Sequence, residues 1–518
     1  MSSNCSECGS SKEELIPSPE TLARYQRLLK SNEAPGSAET AYVRTVTSKT
    51  AARLASLDQD ICQLRNRLHQ LEAERAQLSE YHSQNSAILS PLRRMPSEIL
   101  AEVFSSTLPS FAEMGGKASD IERSPWILTQ VSSRWRKVAV STPSLWQKVY
   151  IDCSFDATMY PPPEMIQAQV ERSCPLKLQV HFYGSEKGDS ASQLRLFEIL
   201  AEHSARWEEL SIQLTGALVL VLPALRGRVP SLQRLWIQWC NADSQAGVES
   251  IKCFETASSL LDAGVDHEVR FVPVLLPVHQ LTRYGVEGPW EMHQRFLKLA
   301  TNLVEATILV QTSSAPWPAP LDESIDLLHL QRLNVSEIKV LDYIRAPALS
   351  EIGVGLAGED PFECLDPFIL RSSCTPSRLC ITGCPDANTT AAILKKYPLI
   401  TSLNLMFCSD DNEAVDEHST MLTVGVPPLV SPHLYEIRFG IVPPMRVDYP
   451  LFLKMLQSRR REPYRALGVA EFLAYGDHDV DPVTLVGMDS LREGGLHLVV
   501  ESDQKTCIDR WVYSCPWN

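Results

Sequence analysis

Three stretches of this chain repeat one spaced apolar pattern, and that recurrence limits the fold more than any other feature of the sequence. LQRLWIQWC at 232–240, PSRLCITGC at 376–384 and ITSLNLMFC at 400–408 align Leu235, Leu379 and Leu403 at one position, then Ile237, Ile381 and Leu405 two residues later, with Cys240, Cys384 and Cys408 at the end. Apolar residues two apart lie on one face of a strand, so each stretch reads as a short strand with two inward side chains and a small residue at the closing turn. Looser copies centre on Leu210 and Ile212, Ala306 and Ile308, Leu333 and Val335, Ile352 and Val354, and Ile437 and Phe439. Units of roughly 20–30 residues cannot bury an apolar face alone, and stacking them buries a continuous core. An α/β array with a parallel sheet is expected, each strand followed by an irregular or helical return. The long interval between Leu235 and Tyr284 reads as an inserted loop.

Upstream, a different period takes over. Leu54, Leu57, Ile61, Leu64, Leu68, Leu71 and Leu78 follow alternating steps of three and four, with Arg75 occupying a seam position where an apolar residue is expected. This is a coiled-coil seam, and a helix is expected over 51–85. Such a stripe must be covered, either by a second copy, which makes homodimerisation through residues 54–82 the leading expectation, or by the protein's own neighbouring domain. Residues 1–50 mix Ser, Thr, Glu, Pro and Gly around a short helical patch at Leu22, Tyr25, Leu28 and Leu29, and read as a mostly disordered tail.

A formal charge of -15 over 518 residues opposes binding to phosphate backbones and anionic lipid. Arg459, Arg460 and Arg461 form the best basic run, and they read as a solvated helix end rather than a nucleic-acid patch. The opening residues are polar, and the most apolar stretch, 216–225, contains Pro223 and is about half the length a bilayer requires. An intracellular protein of cytoplasm or nucleus, with no nucleic-acid or membrane partner, is expected. Its fourteen cysteines are expected as reduced thiols, the three at the strand ends being structural.

Between the seam and the strands, ILSPLRRMPSEILAEVFSSTLPS is followed by a polar stretch and then by SPWILTQVSSRWRKVAVSTPSLWQKVYI. Pro96, Ser97 and Glu98 suit a helix start, with Ile99, Leu100, Val103 and Phe104 on one side of the turns that follow. Val131, Trp135 and Val138 recur at helical spacing, and Pro143 ends that helix before Trp146 and a strand-like KVYI. The segment reads as three short helices. Its arrangement over 88–150 resembles the F-box, the module that docks on the Skp adaptor of cullin-RING ubiquitin ligases. The resemblance makes Leu92, Pro96, Ile99, Leu100, Val103 and Phe104 adaptor-facing or module-core positions, with Val131, Trp135 and Trp146 behind or beside them. Met95 stands where the family has Leu, and the 108–124 connection is longer than in a compact F-box.

The recurring strands over 160–440 resemble the leucine-rich-repeat class of F-box receptors, with 441–518 continuing or capping them. The fold class implied is α/β: a coiled-coil helix, a small all-α F-box-like module and an irregular leucine-rich-repeat-like solenoid. The implied function is a noncatalytic subunit that bridges a Skp-family adaptor and cullin to a target protein, with a coiled-coil and repeat scaffold as the alternative. Exposed strand residues are the natural target surface, and Arg234, Trp236, Gln238, Arg332, Asn334 and Asn404, with Glu305 and Met406, are expected on or near it.

No cofactor, metal or catalytic site is expected. Gly353, Gly355 and Gly358 spell GxGxxG, but within and just after a strand copy, without the ribose-binding acid that a dinucleotide site needs. Cys5 and Cys8 form a lone CxxC without the further ligands of a zinc site, and His267, His279 and His329 lack a paired nucleophile.

Overall fold

Alternating burial is the physical signature of a strand with one covered face, and it is plain in the strands Lys148–Asp152, Arg234–Trp239 and Arg283–Gly288, whereas Ser402–Phe407 is buried along its whole length. The computed structural model describes residues 19–109, 125–154, 160–267, 270–311, 317, 324–356, 361–383, 386–407, 413–425, 430–441, 447–461, 466–474 and 480–502. The chain divides into two units, Met1–Pro96 and Ser97–Asn518.

In the first unit, helix α1 spans Pro19–Lys30 and helix α2 spans Ser37–Ile88. Helix α2 therefore starts well before the expected 51–85 and takes in part of the segment read as a tail. The threonines that make this part look irregular are satisfied inside the helix: Thr40, Thr45, Thr47 and Thr50 donate to the carbonyls of Gly36, Ala41, Val43 and Val46 at 2.8–2.9 Å. The Glu39 carboxylate accepts from the Gly36 N–H at 2.9 Å and steadies the start.

The second unit opens with helix α3 (Ser97–Ser106) and helix α4 (Ser133–Val140), accompanied by tight turns at Trp126–Thr129 and Pro143–Leu145. The expected three helices over 88–150 are thus two α-helices and three 3-10 turns among the described residues, the third turn being Pro91–Arg93 in the first unit. Val131 lies outside α4, because Ser132 caps that helix by accepting from the Trp135 N–H at 3.1 Å.

Among the described residues fourteen strands then form one parallel sheet, in which each strand pairs with the next of these along the chain; a separate two-stranded parallel sheet pairs Ile325–Asp326 with Ile344–Arg345. The fourteen are β1 Lys148–Asp152, β2 Leu178–Tyr183, β3 Trp207–Leu214, β4 Arg234–Trp239, β5 Asp262–Asp266, β6 Arg283–Gly288, β7 Glu305–Val310, β8 Arg332–Val335, β9 Glu351–Gly355, β10 Arg378–Gly383, β11 Ser402–Phe407, β12 Glu436–Ile441, β13 Val469–Ala474 and β14 His497–Ser502. Parallel pairing needs a crossover between strands. Helices such as Pro163–Arg172, Ser190–Glu202 and Tyr449–Arg459 supply some of these, and short turns such as Asp243–Gln245 and Ile338–Tyr343 supply others.

The register stacks two apolar columns across the whole sheet. One runs from Val149 through Val180, Leu210, Leu235, Ala263 and Tyr284 to Leu498; the other runs from Ile151 through Phe182, Ile212, Ile237, Val265 and Val286 to Val500. Both belong to one continuous core with the apolar sides of the returns, including Ile166, Leu196, Phe368, Leu394 and Phe452. Each fully buried Leu or Phe is worth roughly 1.5–3 kcal/mol, so these columns are the main adhesive between successive strands.

The interval read as an inserted loop contains β5. Its column residues are only Ala263 and Val265, too small to announce a strand copy, yet they pair in register with β4 and β6. At the far end β13 and β14 continue the sheet beyond residue 440. Among the described residues no helix is long and apolar enough to cross a membrane.

Candidate functional site

Helix α3 sorts its apolar residues to two sides. Leu100 and Phe104 are buried with Leu128, Val138, Leu145 and Trp146, while Ile99 and Val103 remain 51% and 39% exposed. Residues four apart share a face of a helix, so Ile99 and Val103 form one outward pair and Leu100 and Phe104 one inward pair. The half-buried Trp135 ring lies 4.8 Å from that of Phe104, and Val131 and Val140 are exposed. Leu92 and Pro96, in the first unit, are both exposed.

Trp146 closes this small core. Its Nε1–H donates to the Ala139 carbonyl at 2.8 Å, and its ring meets Trp126 edge-on at 4.8 Å. The Arg172 guanidinium sits 4.8 Å from the Trp126 ring centre and 4.6 Å from that of Trp146, joining the helical segment to the first return helix by cation–π contact.

The sheet face opposite the helical returns carries a second ordered pattern. The residue immediately before the first apolar column is Glu209, Arg234, Asp262, Arg283, Glu305, Arg332, Glu351 and Arg378 on β3 to β10, so the sign of charge alternates strand by strand. Parallel in-register pairing sets these side chains next to each other, and alternation gives each charge an opposite neighbour. Glu209 pairs with Arg234 and, at 2.8 Å, with His181. Arg283 reaches Asp262 at 3.5 Å and Glu305 at 3.3 Å, and Arg332 reaches Glu305 at 2.5 Å. Arg378 spans Glu351 at 3.4 Å and Glu436 at 3.2 Å, and Arg438 continues the chain to Glu436 and, at 3.3 Å, to Glu471.

Ion pairs open to water are individually worth at most about 1 kcal/mol, but several acids of this ladder, Glu209, Asp262, Glu436 and Glu471, are buried. Burial raises the stakes for the acids: it pushes the Asp262 carboxyl pKa up, and Arg283 opposes the rise. The ladder also guards register, since omitting one strand would set like charges side by side.

This arrangement decides what the expected target-binding residues can offer. Arg234 and Arg332 are engaged in the ladder. Trp236 is half-buried and lies across Gly264, where a Cβ would stand 2.0 Å from its ring, and Gln238 beside it is half-exposed. Asn334 is buried over Gly353, and its Nδ2 has no hydrogen-bond partner among the described residues. Asn404 is only 1% exposed and cannot act as a surface contact in this arrangement, and Met406 is buried with Cys380 and Leu473. A shallow hollow of about 60 Å³ lies between Glu305, Arg332, Glu351 and Arg378, with Asn334 and Gly353 in its floor.

The remaining motifs resolve into packing. Gly353 and Gly355 lie inside β9, where a Cβ would stand 2.5 Å from the Asn334 Oδ1 and 2.3 Å from the Ser336 carbonyl oxygen. They permit close approach of β8 rather than forming a turn; Gly358 lies outside the described residues, as do Cys5, Cys8, Cys384 and Cys408. Cys240 is half-buried at the end of β4, and burial pushes the Cys380 thiol up to about 12. No cluster of metal-ligating side chains occurs among the described residues.

Arg459 corrects the reading of the basic run as a solvated helix end. It is 2% exposed, and its guanidinium donates to the carbonyls of Leu422 at 2.7 Å, Ser431 at 2.9 Å and Val430 at 2.9 Å. Arg460 likewise binds the carbonyls of Leu467 and Gly494.

The charge ladder is the feature that sequence reasoning missed. Its signal is present as the residue before each apolar pair, but it emerges only once β5 and β6 are recognised as strands. No family model matches the chain, and no curated protein matches it.

Proposed function

We propose that the protein is a noncatalytic recognition subunit, in which the F-box-like segment holds a Skp-family adaptor of a cullin-RING ubiquitin ligase and the leucine-rich-repeat-like array holds a target protein. The observation that carries this reading is the outward apolar pair Ile99 and Val103, on a helix whose inward pair, Leu100 and Phe104, already fills the local core. Two apolar side chains exposed side by side at the centre of an F-box-like pattern suit a docking surface.

The array supports the second half of the reading. Its polar face carries the ladder of ion pairs and includes Trp236, the residue type most enriched at binding hot spots. Catalysis would rest with other subunits. This chain would act by proximity, raising the effective concentration of target lysines near activated ubiquitin.

The test is co-purification with a Skp-family adaptor and cullin, comparing wild type with an Ile99→Asp, Val103→Asp double variant whose thermal unfolding is unchanged. Loss of the adaptor from the folded variant supports the assignment. Failure of wild type to bind any adaptor favours a scaffold that uses its helix and array without the ligase.

A further inference from the structure

Helix α2 carries an apolar stripe that is exposed among the described residues. Leu54, Ile61 and Leu68 alternate with Leu57, Leu64, Leu71 and Leu78 along its length, and these side chains are 39–69% exposed. The helix spans 52 residues, about 78 Å at the usual rise, and buries none of them. With the first set at heptad position a and the second at d, position g holds Arg53, Asp60, Arg67 and Glu74, and position e holds Asp58, Arg65, Glu72 and Ser79.

The flanking charges and the length of the apolar stripe together select the occupant. In a parallel, in-register pair of identical helices, each g residue faces the e residue five positions on in the other copy. Arg53 then faces Asp58, Asp60 faces Arg65 and Arg67 faces Glu72, so every charged pair is attractive and each occurs twice. In the antiparallel pair that spans the whole stripe, Leu57 falls opposite Arg75, Asp58 faces Glu72, Asp60 faces Glu74, and Arg65 and Arg67 each face their own copies, so every charged pair is repulsive; sliding that pair by one heptad makes the charges attractive but sets Leu78 opposite Thr47 and Arg75 opposite Thr50, so the apolar seam is shortened. Arg75 at position a meets its own copy across the parallel seam and weakens it, and Glu74 of each copy stands beside the Arg75 of the other and offsets that like-charge contact.

We propose that residues 53–79 pair with the same segment of a second copy of this chain, parallel and in register. Both copies then leave the coiled coil at the same end, and one particle carries two arrays able to engage a single multivalent target. The inference rests on α2 alone and stands or falls separately from adaptor binding.

The experiment is sedimentation of the full-length chain, without adaptor, at low-micromolar concentration and at low and high salt. The expected mass is that of two chains, with association weakening as salt rises. An Arg53→Glu, Arg65→Glu, Arg67→Glu variant, which makes all three facing pairs like-charged, is expected to associate at least about tenfold more weakly while keeping its helical circular dichroism. Mixing it with an Asp58→Arg, Asp60→Arg, Glu72→Arg variant should restore dimers, which guards against mere misfolding. Orientation is read from Leu68→Cys, which in the parallel pair faces its own copy and forms a covalent dimer on mild oxidation that the parent chain does not form. A wild-type monomer, a dimer indifferent to charge reversal, or a dimer that Leu68→Cys fails to cross-link would each overturn the proposal.

Discussion

Replacing Arg459 by methionine removes the guanidinium while keeping most of the apolar stem. The side chain ends helix Tyr449–Arg459, and its three acceptors lie at the end of helix Ala414–Leu422 and on the strand-ward segment at Val430 and Ser431. Ser431 holds a left-handed backbone with φ of 36°, a conformation that needs outside support. Burial lowers the Arg459 pKa to about 10, which leaves it charged at neutral pH with no carboxylate beside it in these hydrogen bonds; carbonyl dipoles, including a helix C-terminus, carry the compensation. Each carbonyl left unmet in a buried site costs about 1–3 kcal/mol, partly offset by recovering the desolvation of the cation, so a loss of about 3 kcal/mol is expected. Because the array is held unit by unit, the loss should appear locally, as roughly 100-fold faster amide exchange in 414–422 and 430–441. Arg459→Lys, which keeps the charge but not the planar fork, should fall between the two. Unchanged exchange in those segments together with an unchanged urea midpoint for Arg459→Met would refute the reasoning.

Three further outcomes follow from the same physics. His293 and His267 are buried, and desolvation lowers both pKa values to about 4, so both are neutral in the fold. Their contribution is complete above the unfolded value of 6.5 and is lost as pH falls toward 4, because the unfolded chain takes up protons first; each is worth up to the order of 3 kcal/mol, and His293→Gln should flatten the decline of melting temperature with acid. Gly264→Ala should cost about 1–3 kcal/mol by forcing the Trp236 ring aside, and the cost should largely vanish in a Trp236→Ala background, which a double-mutant cycle on urea unfolding would show. Leu100→Ala should destabilise the second unit by about 2–5 kcal/mol, whereas Ile99→Ala, one residue away but exposed, should stay within about 0.5 kcal/mol; equal losses on thermal unfolding would contradict the two-sided packing of α3.

How much was readable in advance varied with the size of the side chains that carry the pattern. Strands with Leu or Ile at both column positions, such as β4, β10 and β11, announce themselves, because the same pair of large apolar residues two apart recurs in each within the one spaced pattern. Strand β5 does not: Ala263 and Val265 are small, and Gly264 between them is where the neighbouring Trp236 lies. A column can accept small residues in one strand when larger neighbours fill the space, a condition no single strand records. The outward side of α3 was likewise unreadable, since Ile99, Leu100, Val103 and Phe104 are all apolar and only the surrounding core distinguishes the two pairs.

Local sequence determined the periods: a step of three and four along α2, a step of two in each strand, and a punctuated helical segment between them. These follow from backbone geometry, which each short segment carries by itself. The tertiary structure decided everything that depends on which segments become neighbours. Only in-register stacking turns separate Glu and Arg residues into a ladder of ion pairs, and only the enclosure of Arg459 by three carbonyls turns the first residue of a basic run into an internal clamp. The physical reason is that charge pairing and burial are relations between distant parts of the chain, whereas periodicity belongs to one part alone.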